Sequence, residues 1–124
     1  MFTEKLPRIA CVGAGYWGQN LIRNFHELGA LNLICEIDQS RRQHFAALYP
    51  EVQIRDSLDS FVHDDNVTGV AIATPAETHA DLVRRALLAG KDVFVEKPLC
   101  LSPAQGSELI ALAAEKKRIL MVGH

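Results

Sequence analysis

The sequence predicts an α/β protein of the Rossmann type, with a doubly wound parallel sheet in a three-layer α/β/α sandwich. Along its 124 residues, short apolar segments alternate with segments of helical periodicity, which is typical of this class. The first apolar segment runs directly into glycines at G-x-G-x-x-G spacing, and the segment Gly69–Thr74 is apolar almost throughout, as in a strand covered on both faces. Right-handed crossovers between such strands give the strand order 3-2-1-4-5-6.

The first unit is a strand, a glycine turn and a helix within Arg8–Gly29. Ile9–Val12 predicts a buried strand, and a helix with one apolar face follows the turn. Gly13 permits the tight turn, Gly15 allows the backbone to approach a pyrophosphate, and Gly18 lets the helix pack closely on the strand. The N–H groups and the positive dipole end of that helix then face the phosphates. The same pattern also fits a strand–turn–helix in which the glycines serve only the turn.

An acidic residue near the end of the second strand is the next feature expected of a dinucleotide site. Leu31–Ile37 predicts this strand, and Asp38 follows it at the distance that such sites require. A carboxylate there holds the hydroxyls of the adenosine ribose and repels a 2′-phosphate, so we expect NAD to bind more tightly than NADP. Asp38 equally suits the N-cap of the next helix, and Arg41 and Arg42 lie nearby, so NADP binding stays open.

The remaining elements follow from apolar periodicity, capping residues, glycine and proline. In chain order they are a helix over Ser40–Tyr49, a strand over Val52–Ile54, helical turns over Ser57–His63, the strand Gly69–Thr74, a helix ending before Gly90, the strand Asp92–Val95, a helix capped by Ser102 and the strand Arg118–Val122. The helix before Gly90 has two overlapping capping boxes. We favour the one from Thr78 to Asp81, because the apolar periodicity begins only at Leu82.

Ligands of this architecture lie outside the carboxyl ends of the strands, so the residues after each strand are the candidates for a site. Besides the glycines and Asp38, these are Thr74, Pro75 and His79 after the fourth strand and Glu96, Lys97 and Pro98 after the fifth. Lys97 is either an ordinary surface lysine or a group that hydrogen-bonds a substrate hydroxyl, and its position beside the expected cofactor favours the second. Tyr16 and Trp17 are expected to cover the sheet and the pyrophosphate loop, with the mouth of the substrate site as the alternative.

Composition excludes several classes of function. The chain is 48% hydrophobic and 23% charged, with a formal net charge of −2, which is ordinary for one globular domain, and it has no basic stripe to indicate a nucleic-acid partner. The sequence shows neither an apolar run long enough for a membrane span nor a secretory h-region. Its three cysteines, Cys11, Cys35 and Cys100, are too scattered for a zinc site or a disulfide framework, so we expect no metal and a cytoplasmic location.

Four motifs together resemble one group of oxidoreductases: G-A-G-Y-W-G at 13–18, A-T-P at 73–75 followed by His79, E-K-P at 96–98 and V-G-H at 122–124. Over its whole length the chain is similar to the glucose–fructose oxidoreductase / inositol dehydrogenase / rhizopine-catabolism (Gfo/Idh/MocA) family. The resemblance implies that NAD or NADP binds with its pyrophosphate at the glycine turn and its adenosine ribose at the acidic residue. It also implies that the Thr-Pro and Glu-Lys-Pro segments shape the nicotinamide pocket, and that Lys97 reaches the substrate as the catalytic residue.

The resemblance further implies an oxidoreductase that transfers hydride between NAD(P) and a hydroxyl or carbonyl of a sugar, cyclitol or nucleotide sugar. In the family, a second domain beginning just after the position of His124 supplies a catalytic histidine, most substrate contacts and the oligomer interface. We therefore expect residues 1–124 to be the cofactor domain of a homo-oligomeric enzyme, and to bind NAD without turning over a sugar. The alternatives are a non-catalytic dinucleotide-binding or redox-sensing module and a methyltransferase, in which the Glu-Lys-Pro tract has no evident role.

Position and resemblance together predict a cis peptide bond between Lys97 and Pro98. The fifth strand ends at Val95, and the chain must turn sharply before the helix cap at Ser102. A cis proline suits such a turn and keeps Lys97 directed toward the pocket.

Overall fold

The chain folds into one six-stranded sheet between two layers of helices, and a computed structural model describes residues 6–123. The strands are β1 (Ile9–Val12), β2 (Leu31–Cys35), β3 (Gln53–Arg55), β4 (Gly69–Ile72), β5 (Asp92–Val95) and β6 (Leu120–Val122). The helices are α1 (Tyr16–Glu27), α2 (Gln39–Leu48), α3 (His79–Leu88) and α4 (Pro103–Lys116). All neighbouring strands are parallel, and their order is β3-β2-β1-β4-β5-β6, which confirms the predicted fold class.

Successive side chains of each central strand point to opposite faces of the sheet and enter two separate apolar cores. On one face of the sheet, the buried helix residues are Ile22 of α1 and Phe45 of α2. On the other face, the buried helix residues come mainly from α3 and α4. The strand residues of the first core are Cys11, Ile34 and Ala71, and those of the second include Ala10, Val12, Leu33, Val70, Ile72, Val93 and Val95. Within residues 6–123, every helix is too short or too polar to cross a membrane.

The hydrogen bonds at the start of α3 differ from the sequence prediction. Ser102 caps α4 as predicted, since its hydroxyl accepts a backbone N–H at 3.2 Å. Thr78 precedes α3 but makes no such bond; its Oγ1 donates to the carbonyl oxygen of Pro75 instead, at 2.6 Å. The predicted capping box from Thr78 to Asp81 is therefore wrong, and a 3₁₀ turn over Ala76–Thr78 leads into the helix.

The sheet order brings the carboxyl ends of β2, β1, β4 and β5 side by side at one edge. From β1 the chain continues to β2 on one side, and β4 then returns to the other side of β1. Such a change of direction leaves a crevice between the loops that follow the two central strands, and open α/β sheets bind their ligands there.

Candidate functional site

A cavity of about 760 Å³ opens at this crevice, within the range of sites for small molecules and cofactors. It is bounded by the ends of β1, β2 and β4, by the start of α1 and by the segment after β3. Its lining residues are Val12, Gly13, Gly15, Tyr16, Trp17, Cys35, Glu36, Ile37, Arg41, Asp56, Ser57, Leu58, Ala73, Thr74, Pro75, Glu77, Thr78, Asp81 and Leu82. The walls are largely apolar, with charged groups at the rim, so the cavity suits a ligand with both flat apolar and charged parts.

Two of the three glycines of the turn are required by the fold, and the third is not. Gly13 has a positive φ of 97°, and a Cβ there would lie 2.7 Å from the carbonyl oxygen of Ala73. A Cβ on Gly18 would lie only 1.9 Å from the carbonyl oxygen of Gly13, so these two glycines are fixed by the packing of the fold itself. Gly15 is different, because its φ is −78° and the nearest atom to its Cβ position is Nη1 of Arg41 at 3.7 Å. Nothing in the protein requires a glycine at position 15, and the open space faces the cavity.

The first turn of α1 offers unused backbone donors beside Gly15. The helix begins at Tyr16 without a side-chain cap or an acidic residue in its first turn, and the first N–H groups of any α-helix have no intrahelical partner. These N–H groups and the helix dipole together favour an anion at that point. The open space at Gly15 therefore lies where a phosphate or pyrophosphate gains most from the backbone.

Tyr16 and Trp17 stand at the rim of the cavity. Their exposed fractions are 73% and 65%, and the two rings meet edge to face with their centroids 5.2 Å apart. The expectation that they cover the sheet is wrong, since most of their surface faces solvent. Both line the cavity instead. This position is closer to the alternative interpretation, in which the two rings line the mouth of the substrate site.

Of the two acidic residues after β2, Glu36 lines the cavity and Asp38 does not. β2 ends at Cys35, two residues earlier than predicted, and Glu36 directly after it is only 5% exposed. Its Oε1 accepts the N–H of Ala14 at 2.7 Å, and its Oε2 accepts the N–H of Asp38 at 2.8 Å. The carboxylate is thus held against the glycine turn, at the wall of the cavity.

Asp38 instead begins the helix α2. Its Oδ2 accepts the N–H of Arg41 at 2.9 Å, which is the N-cap geometry weighed as the alternative for this residue. Its side chain is exposed, and it is absent from the described lining of the cavity. Both observations favour Glu36 over Asp38 as the acid that a ligand in the cavity would meet.

Removing the cap separates the two acids experimentally. We expect Asp38→Ala to lower the free energy of unfolding by about 1 kcal/mol, as for other N-cap losses, and to leave dinucleotide affinity unchanged. Urea unfolding measures the first quantity and calorimetric titration the second. Gln43→Ala, at an exposed position within α2, is the matched control, and it should change neither. A loss of affinity in Asp38→Ala alone would return the ribose contact to Asp38.

The two arginines after β2 have different roles. Nη1 of Arg41 lies 3.7 Å from Oε1 of Glu36, and the side chain lines the cavity while remaining 56% exposed. Arg42 donates from Nη1 to the carbonyl oxygens of Glu36 and Ile37, at 2.9 and 2.8 Å, so it fixes the turn between β2 and α2. Only Arg41 is available to a ligand in the cavity, where it places a positive charge beside the Glu36 carboxylate.

Of the three candidate residues after β4, two line the cavity and one does not. Thr74 and Pro75 line the cavity, and Oγ1 of Thr74 shares a hydrogen bond of 2.6 Å with Oγ1 of Thr78. His79 is 2% exposed and does not belong to the described lining of the cavity. Its ring points instead at two backbone carbonyls, those of Thr74 and Pro98.

The Glu-Lys-Pro segment lies beyond the cavity wall, after β5. The peptide bond between Lys97 and Pro98 is cis, which confirms that prediction. Lys97 and Pro98 are exposed and Glu96 is half-buried, and none of the three is in the described lining of the cavity. The structure places them at the end of the strand next to β4, within the same row of carboxyl ends.

Cys35 is the one cysteine in the described lining of the cavity, and we expect its thiol to react slowly. Burial raises its pKa to about 12, and the carboxylates of Glu36 and Asp56 add to the rise. Burial alone raises the pKa of Cys11 to about 12 as well. Because the thiolate is the reactive form, we expect a disulfide-exchange reagent at mildly alkaline pH to modify one cysteine, the half-buried Cys100, in the folded protein. All three should react after unfolding in urea; rapid labelling of folded Cys35 would contradict this environment.

Comparison with known proteins agrees with this geometry. Residues 7–124 match the family described as "Oxidoreductase family, NAD-binding Rossmann fold", the Gfo/Idh/MocA family. The chain belongs to this family. It is 31% identical over 127 residues to inositol 2-dehydrogenase of Acidothermus cellulolyticus, covering 99% of this chain and 37% of that protein.

Two solved structures share the fold and carry nicotinamide cofactors. The biliverdin reductase of Synechocystis sp. PCC 6803, solved with biliverdin and NADP⁺, matches with a TM-score of 0.88 and 32% identity over 94% of this chain and 37% of that one. GenD2 from gentamicin A biosynthesis, solved with NAD, matches with a TM-score of 0.90 and 28% identity over 99% of this chain and 36% of that one. The family binds nicotinamide dinucleotides, and this chain spans about a third of the length of the relatives that it matches.

Proposed function

We propose that this chain binds NAD along the carboxyl ends of its strands and forms the cofactor half of a sugar-type dehydrogenase. The observation that carries the proposal is Gly15, whose open side faces the cavity where the free N–H groups of α1 begin. A pyrophosphate is the group that needs both features at once. The residues present therefore fit the cofactor.

Charge and topology orient the dinucleotide. Glu36 at the end of β2 accepts the hydroxyls of the adenosine ribose, and the pyrophosphate lies at Gly15 after β1. Continuing in the same direction, the nicotinamide end lies toward the ends of β4 and β5. Three strand spacings separate β2 from β5, a span of roughly 14 Å, so an extended dinucleotide suits this row of loops.

NAD is the preferred cofactor in this proposal, because the Glu36 carboxylate repels a 2′-phosphate. Arg41 lies beside that carboxylate, and its guanidinium gives a 2′-phosphate a partial counter-charge. We therefore expect tighter binding of NAD and weaker but measurable binding of NADP.

The chemistry of the bound cofactor is hydride exchange at the nicotinamide ring. The residues of this chain bind and orient the dinucleotide: α1 holds the phosphates, Glu36 holds the ribose, and Thr74 and Pro75 wall the cavity toward the nicotinamide end. Lys97 lies exposed after β5, where its ammonium can donate a hydrogen bond to a substrate oxygen. We assign it that role.

The proposed substrate is a hydroxyl or carbonyl group of a sugar, cyclitol or nucleotide sugar. The similarity to an inositol 2-dehydrogenase supports a polyhydroxylated substrate. Since the relatives are about three times as long as this chain, we further propose that a second domain holds the substrate and forms the contacts of a cytoplasmic homo-oligomer. Hydride transfer requires a substrate held in near-attack geometry, so residues 1–124 alone should bind NAD without turnover.

Calorimetric titration of residues 1–124 tests the proposal. We expect saturable binding of NAD, weaker binding of NADP, and no binding of S-adenosylmethionine, the cofactor of the methyltransferase alternative. Absence of NAD binding at millimolar concentration, or tighter binding of S-adenosylmethionine, would refute it. Steady NADH formation from a sugar by this chain alone would refute the need for a second domain.

A further inference from the structure

His79 is a buried side chain that joins two loops at the far end of the cavity. It is the first residue of α3. Its Nδ1 lies 2.6 Å from the carbonyl oxygen of Pro98, and its Nε2 lies 2.8 Å from the carbonyl oxygen of Thr74. Thr74 follows β4 and lines the cavity, whereas Pro98 follows β5. One ring therefore links the ends of two neighbouring strands.

Both partners of this ring are acceptors only. A neutral imidazole has one N–H and one lone pair, whereas an imidazolium has two N–H groups. Either ring nitrogen can carry the proton of a neutral imidazole, so the ring can donate to either of the two carbonyl oxygens. Because the ring is only 2% exposed, water does not compete for these contacts. The buried ring therefore ties the two loops together.

We propose that His79 acts as a positioning residue, holding the loop after β4 and the segment after β5 at a fixed separation. The inference rests on the proposed function, because it takes these two loops as the walls of the nicotinamide end. His79 acts through the backbone: Thr74 lines the cavity, and Lys97 directly precedes Pro98. This role replaces the expectation that His79 contacts the cofactor.

The charged side chains on the adjoining segments do not pair with the ring. Glu77 and Asp81 lie two residues before and after it in the chain and are exposed, as is Lys97, whereas Glu96 is half-buried at the end of β5. No ion pair to His79 occurs within residues 6–123. The two backbone carbonyls are thus the polar partners that the structure shows for the ring.

Ligand binding tests the positioning role. ADP-ribose contains all of NAD except the nicotinamide, so the ratio of the two affinities measures how well that end is held. We expect His79→Gln to reduce the advantage of NAD by roughly tenfold, the upper end of the effect of one lost hydrogen bond, and to leave ADP-ribose affinity unchanged. The control His63→Gln, at an exposed position on the turn before β4, should keep the wild-type ratio.

The outcomes separate this inference from the proposed function. An equal loss of both affinities in His79→Gln, or no loss in either, would overturn the positioning role. If the wild-type protein binds neither ligand, the proposed function itself fails. If His79→Gln does not fold, His79→Asn, whose shorter amide cannot span both carbonyls, is titrated in its place and should lose the same advantage of NAD.

Discussion

Replacing Glu36 with serine is expected to reverse the cofactor preference from NAD to NADP. The change removes the carboxylate that we propose accepts the ribose hydroxyls, and hydrogen bonds to charged groups contribute about 1.5–3 kcal/mol each. NAD affinity should therefore fall by at least roughly tenfold. NADP affinity should rise, because the repulsion of the 2′-phosphate is lost while Arg41, whose Nη1 lies 3.7 Å from Oε1 of Glu36, remains beside the vacated space.

Calorimetric titration of both cofactors measures the reversal, and two variants control it. Asp38→Ala should keep the wild-type preference, since Asp38 caps α2 and its carboxylate is turned to the N–H of Arg41. Arg41→Ala in the Glu36→Ser background should abolish the gain in NADP affinity. A preference that changes in Asp38→Ala and persists in Glu36→Ser would show that the ribose acid is misassigned. Thermal unfolding accompanies each titration, because Glu36 also accepts two backbone N–H groups that its removal leaves unpaired.

Alanine at Gly18 is expected to prevent stable folding, whereas alanine at Gly15 is expected to prevent cofactor binding. The Cβ at position 18 would meet a backbone oxygen at 1.9 Å, so α1 would have to move away from the sheet. Forcing one extra methyl group into a tightly packed core costs about 1–3 kcal/mol, and occasionally more. At position 15 the φ of −78° suits alanine, and a methyl group would make only an ordinary contact with Arg41, at 3.7 Å. It would enter the space where we propose that the pyrophosphate binds.

Urea unfolding and NAD titration of the two variants measure these opposite outcomes. Gly15→Ala should unfold at nearly the wild-type urea concentration and bind NAD at least roughly tenfold more weakly, since helix-terminal phosphate bonds are charge-assisted. Gly18→Ala should be insoluble or unfold at much lower urea. Gly90→Ala, where a Cβ meets nothing within 4 Å but φ is 81°, separates the cost of conformation from that of a clash. Equal destabilisation by Gly15→Ala and Gly18→Ala would mean that all three glycines serve only the turn.

The fold could be predicted from the sequence because the apolar runs, the turn glycines and the helix caps all indicate the same helices and strands. The strands are apolar runs, the turn of Gly13 has a glycine where φ must be positive, and Ser102 stands where a helix must begin. Strand order then follows from the handedness of crossovers. These features are local or nearly so, and a single sequence contains them.

The site was accessible only in part, because its details depend on where a strand stops. The sequence prediction extended β2 to Ile37 and so placed the acid at Asp38, whereas the strand ends at Cys35 and Ile37 is 84% exposed. The signal that was present is the Asp38 capping position before α2, which leaves Glu36 as the acid at the strand end. Two hydrogen bonds of the site join residues far apart in sequence: Ala14 with Glu36, and His79 with Pro98. No local sequence pattern predicts such contacts.

A crystal structure of this protein with NAD tests the central claim most directly. We expect the adenosine ribose hydroxyls within hydrogen-bond distance of Glu36, the pyrophosphate against Gly15 and the first N–H groups of α1, and the nicotinamide toward Thr74 and Lys97. A dinucleotide bound outside this cavity, or bound with its ribose on Asp38 and a pyrophosphate remote from Gly15, would contradict the account.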